Sequence, residues 1–201
     1  MRFVKIDSPK SFFDKEKNIL GQTVAVVRDA FASPMEFEDV YAHLTSPEKV
    51  YLVFEGKDVI GMGSYSERIF SGIPTLIVDG IAIRESFQGK GIFGGLTDLV
   101  LKGEKLICLR TQSPQMYRAL EKKCRFVYPG KDVRIPEAIM AVLSEYGEFL
   151  NCVADESGVV RGFYGKSLYG KENAHHIVSP IFEKLDMNIS AGDAMLVAGV
   201  R

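Results

Sequence analysis

A glycine-rich turn between a predicted strand and a predicted helix constrains this chain more than any other feature. Residues 88–95 have the sequence Gln-Gly-Lys-Gly-Ile-Phe-Gly-Gly. The β-branched and apolar run at residues 75–83 predicts a strand before the turn, and an apolar stripe of Ile92, Leu96 and Val100 predicts a helix after it. A strand, turn and helix in this order direct several backbone N–H groups at one point, where a phosphate can bind.

Two known phosphate-binding patterns match the turn only in part. Gly89, Gly91 and Gly94 match the spacing of the dinucleotide fingerprint, but residues 84–87 separate the strand from the turn, and the next strand ends in Arg110 and Thr111 without a carboxylate. A Walker loop needs Ser or Thr after its lysine, and here Gly91 follows Lys90. A third interpretation is a turn that only packs a helix on a sheet.

The elements around the turn follow a recognisable order. We predict a meander of three strands before it and an alternation of strand and helix after it. The predicted elements before the turn are a strand at 3–6, a helical region at 8–31 with a break at Gly21, a helix at 35–44 and strands at 50–54, 59–65 and 75–83. Those after it are a strand at 105–111, a helix from Pro114 to Cys124 and a strand at 126–128.

This order resembles the GNAT superfamily of acetyl-CoA-dependent N-acetyltransferases over about residues 1–128. The family signature Q/R-x-x-G-x-G/A is matched from Gln88 to Phe93 at five of six positions, with Phe93 in place of a small final residue. The resemblance implies an α+β fold with a mixed sheet, of the GNAT-like acyl-CoA N-acyltransferase type. It also implies acetyl-CoA as co-substrate.

The resemblance also implies where the coenzyme would bind, in both places through backbone atoms. The amides of the turn would surround the coenzyme pyrophosphate, and the backbone at the end of the preceding strand would pair with the pantetheine. The turn residues are Gln88, Gly89, Lys90, Gly91, Ile92 and Phe93, and the strand residues are Ile81, Ala82 and Ile83.

Three residues are candidates for the chemistry. Many family members carry a tyrosine acid in the pattern L-Y-E-K-x-G-F, and Glu121 occupies that position here. Tyr117 lies one helical turn earlier on nearly the same face and is the best substitute, although a core tyrosine fits the pattern equally well. Asp79 is a candidate base or amine-binding carboxylate, because it lies on the same side of its strand as Ile81 and Ile83.

Residues 130–201 exceed what the resemblance covers. We predict a GNAT domain at 1–129 and, at 130–201, an α+β extension that docks on it as one wall of the acceptor site or as a homodimer interface. The extension should contain a helix from Pro136, a hairpin at 149–154 and 159–164, a helix at 177–185 and a strand at 194–200. The aromatic, glycine-rich segments 162–165 and 168–170 are predicted to lie nearest the substrate.

Composition excludes several classes of function. The 25 basic and 26 acidic residues leave a net charge of −1, so nothing across the whole chain attracts nucleic acid or an acidic membrane. Cys108, Cys124 and Cys152 have neither disulfide nor metal-site spacing, and the pair His175-His176 adds no metal motif. We expect no metal, no transmembrane segment and no signal peptide, and a cytoplasmic protein.

The predicted activity is acetyl transfer to a primary amine of a small molecule or peptide, by direct attack without a covalent enzyme intermediate. The alternative is a non-catalytic GNAT-like module that binds an acyl-CoA or a partner, because the family tyrosine is missing. A dinucleotide enzyme is the third interpretation.

Overall fold

A computed structural model describes residues 1–131 and 134–201 and divides the chain into two compact units. The first unit comprises Met1–Ser66 and Val78–Lys102, and the second comprises Glu67–Ile77 and Gly103–Arg201. The domain boundary predicted at 129/130 falls inside the second unit. Each unit has its own apolar core.

The first unit is an antiparallel meander covered by helices on both faces. Its strands are β1 (Arg2–Ile6), β2 (Lys49–Glu55), β3 (Asp58–Phe70) and β4 (Ile73–Ile83), of which β3 and β4 continue into the second unit. Its helices are α1 (Pro9–Lys15), α2 (Lys17–Phe31), α3 (Phe37–Thr45) and α4 (Ile92–Val100).

The alternation of side chains along the strands decides which helices cover which face. Val4 joins the core that α1, α2 and α3 form with the sheet, whereas Phe3 faces the opposite side and approaches Gly95 of α4. The strands pair in the order β1-β2-β3-β4, with Phe3 opposite Val53. The predicted hairpin, the third strand of the meander and the helix after the glycine turn are confirmed.

The helix break predicted at Gly21 is wrong. The helix ends at Lys15 and restarts at Lys17, because Glu16 leaves the helical region with a ψ of 62°. Gly21 lies inside α2, where a Cβ would meet nothing within 4 Å. A larger side chain would therefore fit here, so no neighbour requires a glycine, and the cost of about 1 kcal/mol of one glycine does not interrupt the helix.

The second unit has a buried strand at the centre of its sheet. Its further strands are β5 (Leu106–Thr111), β6 (Phe126–Tyr128), β7 (Val159–Val160) and β8 (Ala194–Val200), and its helices are α5 (Pro114–Glu121), α6 (Glu137–Phe149) and α7 (Ser179–Lys184).

Strand β8, which belongs to the last part of the chain, lies between β5 and β6. Ala198 of β8 is opposite Cys108 on one side and Tyr128 on the other, and both pairings are antiparallel. Ala198 contributes to the core with α6, while its neighbour Gly199 faces Leu120 and Cys124 on the α5 side. Residues 130–201 therefore supply an internal strand of this sheet.

The α+β class of fold is confirmed, whereas the hairpin predicted at 149–154 and 159–164 is wrong. Helix α6 extends to Phe149, whose ring packs near that of Phe70, and of the two predicted strands only Val159–Val160 forms, as β7 against β8. Two residues after the end of that strand, Gly162 is left-handed with a φ of 62°. No helix among residues 1–131 and 134–201 is both long and apolar enough to span a bilayer.

We predict that deleting residues 130–201 abolishes folding of the second unit. The deletion removes β8 and leaves the buried faces of β5 exposed and β6 without its partner strand. Size-exclusion chromatography and circular dichroism should show aggregation or loss of structure. A truncated protein that stays monodisperse and folded would contradict this.

Candidate functional site

Two left-handed glycines shape the turn between β4 and α4. After Ile83 the chain makes a short 3-10 turn at Glu85–Phe87, and then Gly89 and Gly91 adopt φ values of 74° and 77°. Gly91 is the N-cap residue of α4. Residues with a Cβ rarely adopt such φ values, so this course of the backbone selects glycine at both positions.

The turn is held to the first unit by hydrogen bonds at its entry. The Arg84 amide donates to the Ile60 carbonyl at 2.9 Å, and the Glu85 amide donates to Asp29 Oδ2 at 2.8 Å. Gln88 Nε2 donates to the Ile83 carbonyl at 2.9 Å. The signature glutamine therefore closes the turn onto the end of β4, a role that the sequence pattern did not predict.

Helix α4 presents amides that its own hydrogen bonds do not use. The first bond of the helix runs from the Gly95 amide to the Gly91 carbonyl at 3.0 Å, so the amides of Ile92, Phe93 and Gly94 precede the intrahelical ladder. The cap residue is a glycine, without a side chain to accept from them. These amides and the helix dipole produce a positive potential at the turn.

The space beside the turn is open. A Cβ at Gly89 or at Gly91 would meet nothing within 4 Å, whereas a Cβ at Gly95 would lie 3.3 Å from the Phe3 ring. Gly95 is therefore small because α4 packs against β1. Gly89 and Gly91 are glycines because of their backbone conformation, and a ligand could approach them closely.

The charge of the turn is also suited to an anion. The first turn of α4 has no acidic residue, and the exposed Lys90 places its ammonium 4.6 Å from the centre of the Phe87 ring.

The side chains of Ile92 and Phe93 are buried, as is that of Ala82, whereas Ile81 and Ile83 are half-buried. The apolar residues predicted for the coenzyme site therefore offer their backbone more than their side chains.

Asp79 lies on β4 in the first unit, oriented by a serine of the neighbouring strand. Ser66 Oγ donates to Asp79 Oδ2 at 2.7 Å, and Ser66 itself is buried. Sequence reasoning missed Ser66, because the pairing of β3 with β4 brings the two together across a turn. The pair gives a half-buried carboxylate a defined orientation.

Tyr117 and Glu121 belong to α5 in the second unit. Tyr117 is 1% exposed, and its hydroxyl donates to the Pro129 carbonyl at 2.6 Å. Burial, and to a lesser degree the charge of Glu121, raises the pKa of the Tyr117 phenol. Glu121 accepts a hydrogen bond from Arg118 at 2.7 Å. Both side chains thus have structural partners, and their catalytic assignment stays a prediction.

The aromatic loop predicted to lie near the substrate is anchored by Gln112 at the end of β5. Gln112 is 2% exposed, its Oε1 accepts from the Leu168 amide at 2.9 Å, and its Nε2 donates to the Asp193 carbonyl at 2.9 Å. Phe163, Tyr164 and Tyr169 of the loop are half-buried. The sequence has no motif around Gln112 that would have indicated this role.

Asp193 is the second residue that anchors the aromatic loop. Its Oδ1 accepts from the Gly162 amide at 2.8 Å, and its Oδ2 accepts from the Asn188 amide and from Arg161, both at 2.9 Å. Burial alone would raise the pKa of this carboxyl, but the three donors together outweigh burial and lower it. The charged form of Asp193 therefore stabilises the loop.

No metal centre is apparent in the part of the chain that the structure describes. Among residues 1–131 and 134–201, no group of three or more His, Cys, Asp or Glu side chains is placed to hold a metal ion.

Burial raises the pKa of the Cys124 thiol to about 11, against a smaller opposing effect of Arg201.

Comparison with known proteins finds structural neighbours only. No protein-family model matches the chain, and no curated protein matches it. The IAA acetyltransferase from Bacillus cereus is 15% identical with a TM-score of 0.47, and the match covers 100% of each chain. The ribosomal-protein-S18-alanine N-acetyltransferase from Escherichia coli is 10% identical with a TM-score of 0.48, and the match covers 99% of this chain and 94% of that one.

A third neighbour is longer than this chain. The GCN5-related N-acetyltransferase from Kribbella flavida is 16% identical with a TM-score of 0.38, and the match covers 59% of this chain. The chain spans less than half the length of this and another solved relative. All three neighbours are acetyltransferases.

We predict that Asp193→Asn lowers the free energy of unfolding by about 1–3 kcal/mol at pH 7, since it removes the charge that three donors share. The folded pKa lies below the unfolded value of about 3.9. The stabilisation is therefore complete above that value and is lost as the pH falls through the folded pKa. Denaturant unfolding between pH 3 and 7 should show the two proteins converging in acid.

The matched control is Glu156→Gln, which removes an exposed carboxylate of the same unit. Its unfolding free energy should stay within about 0.5 kcal/mol of wild type at every pH. A difference between Asp193→Asn and wild type that does not shrink in acid would contradict the role of the charge.

Proposed function

We propose that this protein transfers the acetyl group of acetyl-CoA to a primary amine of a small molecule or peptide. The observation that carries the proposal is the turn at residues 88–93, where two left-handed glycines, unused helix amides and open space coincide. Such a turn suits a pyrophosphate, because its oxygens can accept several N–H groups at once and its charge is favoured by the helix dipole.

The coenzyme would be held mainly by backbone atoms. The amides from Gly89 to Phe93 would bind the pyrophosphate, with Lys90 close enough to add a positive charge. The backbone of Ile81, Ala82 and Ile83 would pair with the pantetheine in the manner of an added strand. The open space beside Gly89 and Gly91 supports this arrangement, since a side chain there would occupy the place of the ligand.

The reaction would be a direct substitution at the thioester. The neutral amine nitrogen attacks the acetyl carbon, a C–N bond forms, the C–S bond breaks, the nitrogen loses a proton and the coenzyme thiolate gains one. Asp79 would accept a hydrogen bond from the amine or take its proton, in the orientation that Ser66 imposes. Tyr117 and Glu121 remain the predicted sources of the proton for the thiolate.

A non-catalytic acyl-CoA-binding module is the second candidate. The observation in its favour is that the Tyr117 hydroxyl is buried and donates to the Pro129 carbonyl. Tyr117 would have to break this hydrogen bond before its hydroxyl could protonate the thiolate. Release of free thiol from acetyl-CoA over a panel of amines distinguishes the two. Parallel titrations with acetyl-CoA and NADH test the dinucleotide interpretation, which requires NADH to bind more tightly.

We predict that Gly91→Asp weakens acetyl-CoA binding at least about ten-fold, because it places a negative charge and a side chain where the pyrophosphate would lie. Isothermal titration calorimetry measures the effect. Gly56→Asp is the matched control, since Gly56 is also left-handed, at a φ of 60°, with open space around its Cβ. Unchanged affinity in a folded Gly91→Asp protein would refute the coenzyme site.

Tyr117→Phe tests whether the phenol acts in catalysis. The loss of its hydroxyl leaves the Pro129 carbonyl unpaired, so the free energy of unfolding should fall by about 1–3 kcal/mol. If Tyr117 is also the acid, turnover should fall by about 10²-fold while the dissociation constant of acetyl-CoA is unchanged. Near-normal turnover in the destabilised variant would assign Tyr117 to the core and direct the search to Glu121 and Cys124.

A further inference from the structure

The Lys90 side chain is held by the residues that enter the glycine turn, not by those that leave it. Its ammonium lies 4.6 Å from the centre of the Phe87 ring, and Phe87 belongs to the 3-10 turn before Gly89. The amides that α4 leaves unused come after Gly91. The turn therefore offers a cation from its entry and a group of N–H donors from its exit.

An aromatic ring, and not a carboxylate, positions this ammonium. Lys90 forms no salt bridge with any carboxylate of residues 1–131 and 134–201. The Lys90 side chain is exposed, and the Phe87 ring is half-buried. A cation over a ring is attracted by the electrons of the ring face. An anion can therefore bind the ammonium without breaking an internal ion pair.

Net charge does not select the ligand at the entry of the turn. Two cations, Arg84 and Lys90, are accompanied by two carboxylates, Glu85 and Asp29, and Asp29 Oδ2 accepts from the Glu85 amide at 2.8 Å. Arg84 Nε donates to the Val59 carbonyl of β3 at 3.1 Å, which directs its guanidinium toward the sheet. Selectivity therefore has to come from the position of the Lys90 ammonium.

A ligand with two separate anionic groups matches an ammonium and a separate group of amides. Coenzyme A carries a pyrophosphate and, at the 3′ position of its ribose, a further phosphate, whereas pantetheine carried on a protein has one phosphodiester and no nucleotide. The amides of α4 suit the pyrophosphate, which leaves the Lys90 ammonium for the 3′-phosphate. A lysine suits a terminal phosphate, because it binds as a point charge on a flexible stem.

We propose that Lys90, held by Phe87, binds the 3′-phosphate of the acetyl donor, so that the protein selects a coenzyme A thioester over donors without that phosphate. This inference rests on the proposed acetyl transfer, because it adds a second phosphate position to the same coenzyme site. It specifies a class of donor that the pyrophosphate alone does not, since 3′-dephospho-coenzyme A also carries the pyrophosphate.

Isothermal titration calorimetry of the full chain with coenzyme A and with 3′-dephospho-coenzyme A tests the inference. Wild type should bind coenzyme A about five-fold more tightly, through one exposed charge-assisted contact. This preference should shrink between 50 and 300 mM salt, because the contact is screened. The comparison of the two ligands leaves the protein unaltered, so misfolding cannot explain a difference between them.

Three variants locate the contact. Lys90→Gln should abolish the preference by weakening the binding of coenzyme A alone, whereas Lys90→Arg, which retains the charge, should keep most of it. The matched control is Lys57→Gln, which removes an exposed lysine of the same unit and should leave both affinities within about two-fold of wild type.

The possible failures of this inference and of the coenzyme site are distinguishable. Equal weakening of both ligands by Lys90→Gln would assign the ammonium to the pyrophosphate, and a preference that survives Lys90→Gln would assign the 3′-phosphate to another residue. Equal binding of both ligands to wild type would also overturn the inference, while the proposed acetyl transfer would stand. Binding of neither ligand to wild type would refute the inference together with the coenzyme site.

Discussion

The pairing of β8 with both β5 and β6 is the interaction on which the second unit depends. Residues Ala194 to Ala198 are fully buried, and each side of the strand is hydrogen-bonded to a neighbour. A strand with no free edge and no exposed face cannot be removed without exposing both partners. The last residues of the chain are therefore as much a part of this core as β5, and the extension is not an independent appendage within its unit.

The same strand positions the parts of the second unit that bear on function. Asp193 lies one residue before β8, and its carboxylate accepts hydrogen bonds from the amides of Gly162 and Asn188. Gln112 stands one residue after β5 and binds the same loop from the other side. The aromatic loop is thus held by residues that stand at the ends of two adjacent strands, β5 and β8.

In the first unit the governing constraint is conformational. Gly89 and Gly91 must be left-handed for the chain to leave β4, make the 3-10 turn and enter α4 with its first amides facing outward. The contrast with Gly95, which is small because Phe3 lies against it, separates glycines required by backbone conformation from those required by packing. Gly89 and Gly91 therefore leave open space beside the backbone of the turn, whereas the space beside Gly95 is occupied by the Phe3 ring.

Elements with a local pattern can be predicted from the sequence alone. The β-branched and apolar runs of β2 and β4, the Ser113-Pro114 start of α5 and the apolar stripe of α4 are each recognisable from neighbours within a few residues. The glycine turn was found for the same reason. The strand predicted at 149–154 does not form. Phe149 and the residues after it are apolar enough for a strand, but α6 continues through Phe149, whose ring packs near that of Phe70.

Contacts between distant parts of the chain are set by the tertiary fold. The Pro129 carbonyl accepts a hydrogen bond from the Tyr117 hydroxyl, and the Asp79 carboxylate accepts one from Ser66. The Asp193 carboxylate accepts one from the Gly162 amide. No sequence motif marks any of these partners. Each depends on strand register or on a loop returning to a strand end, which many sequences satisfy and no short pattern encodes. Local periodicity specifies elements, whereas the burial of polar groups in the folded chain selects their partners.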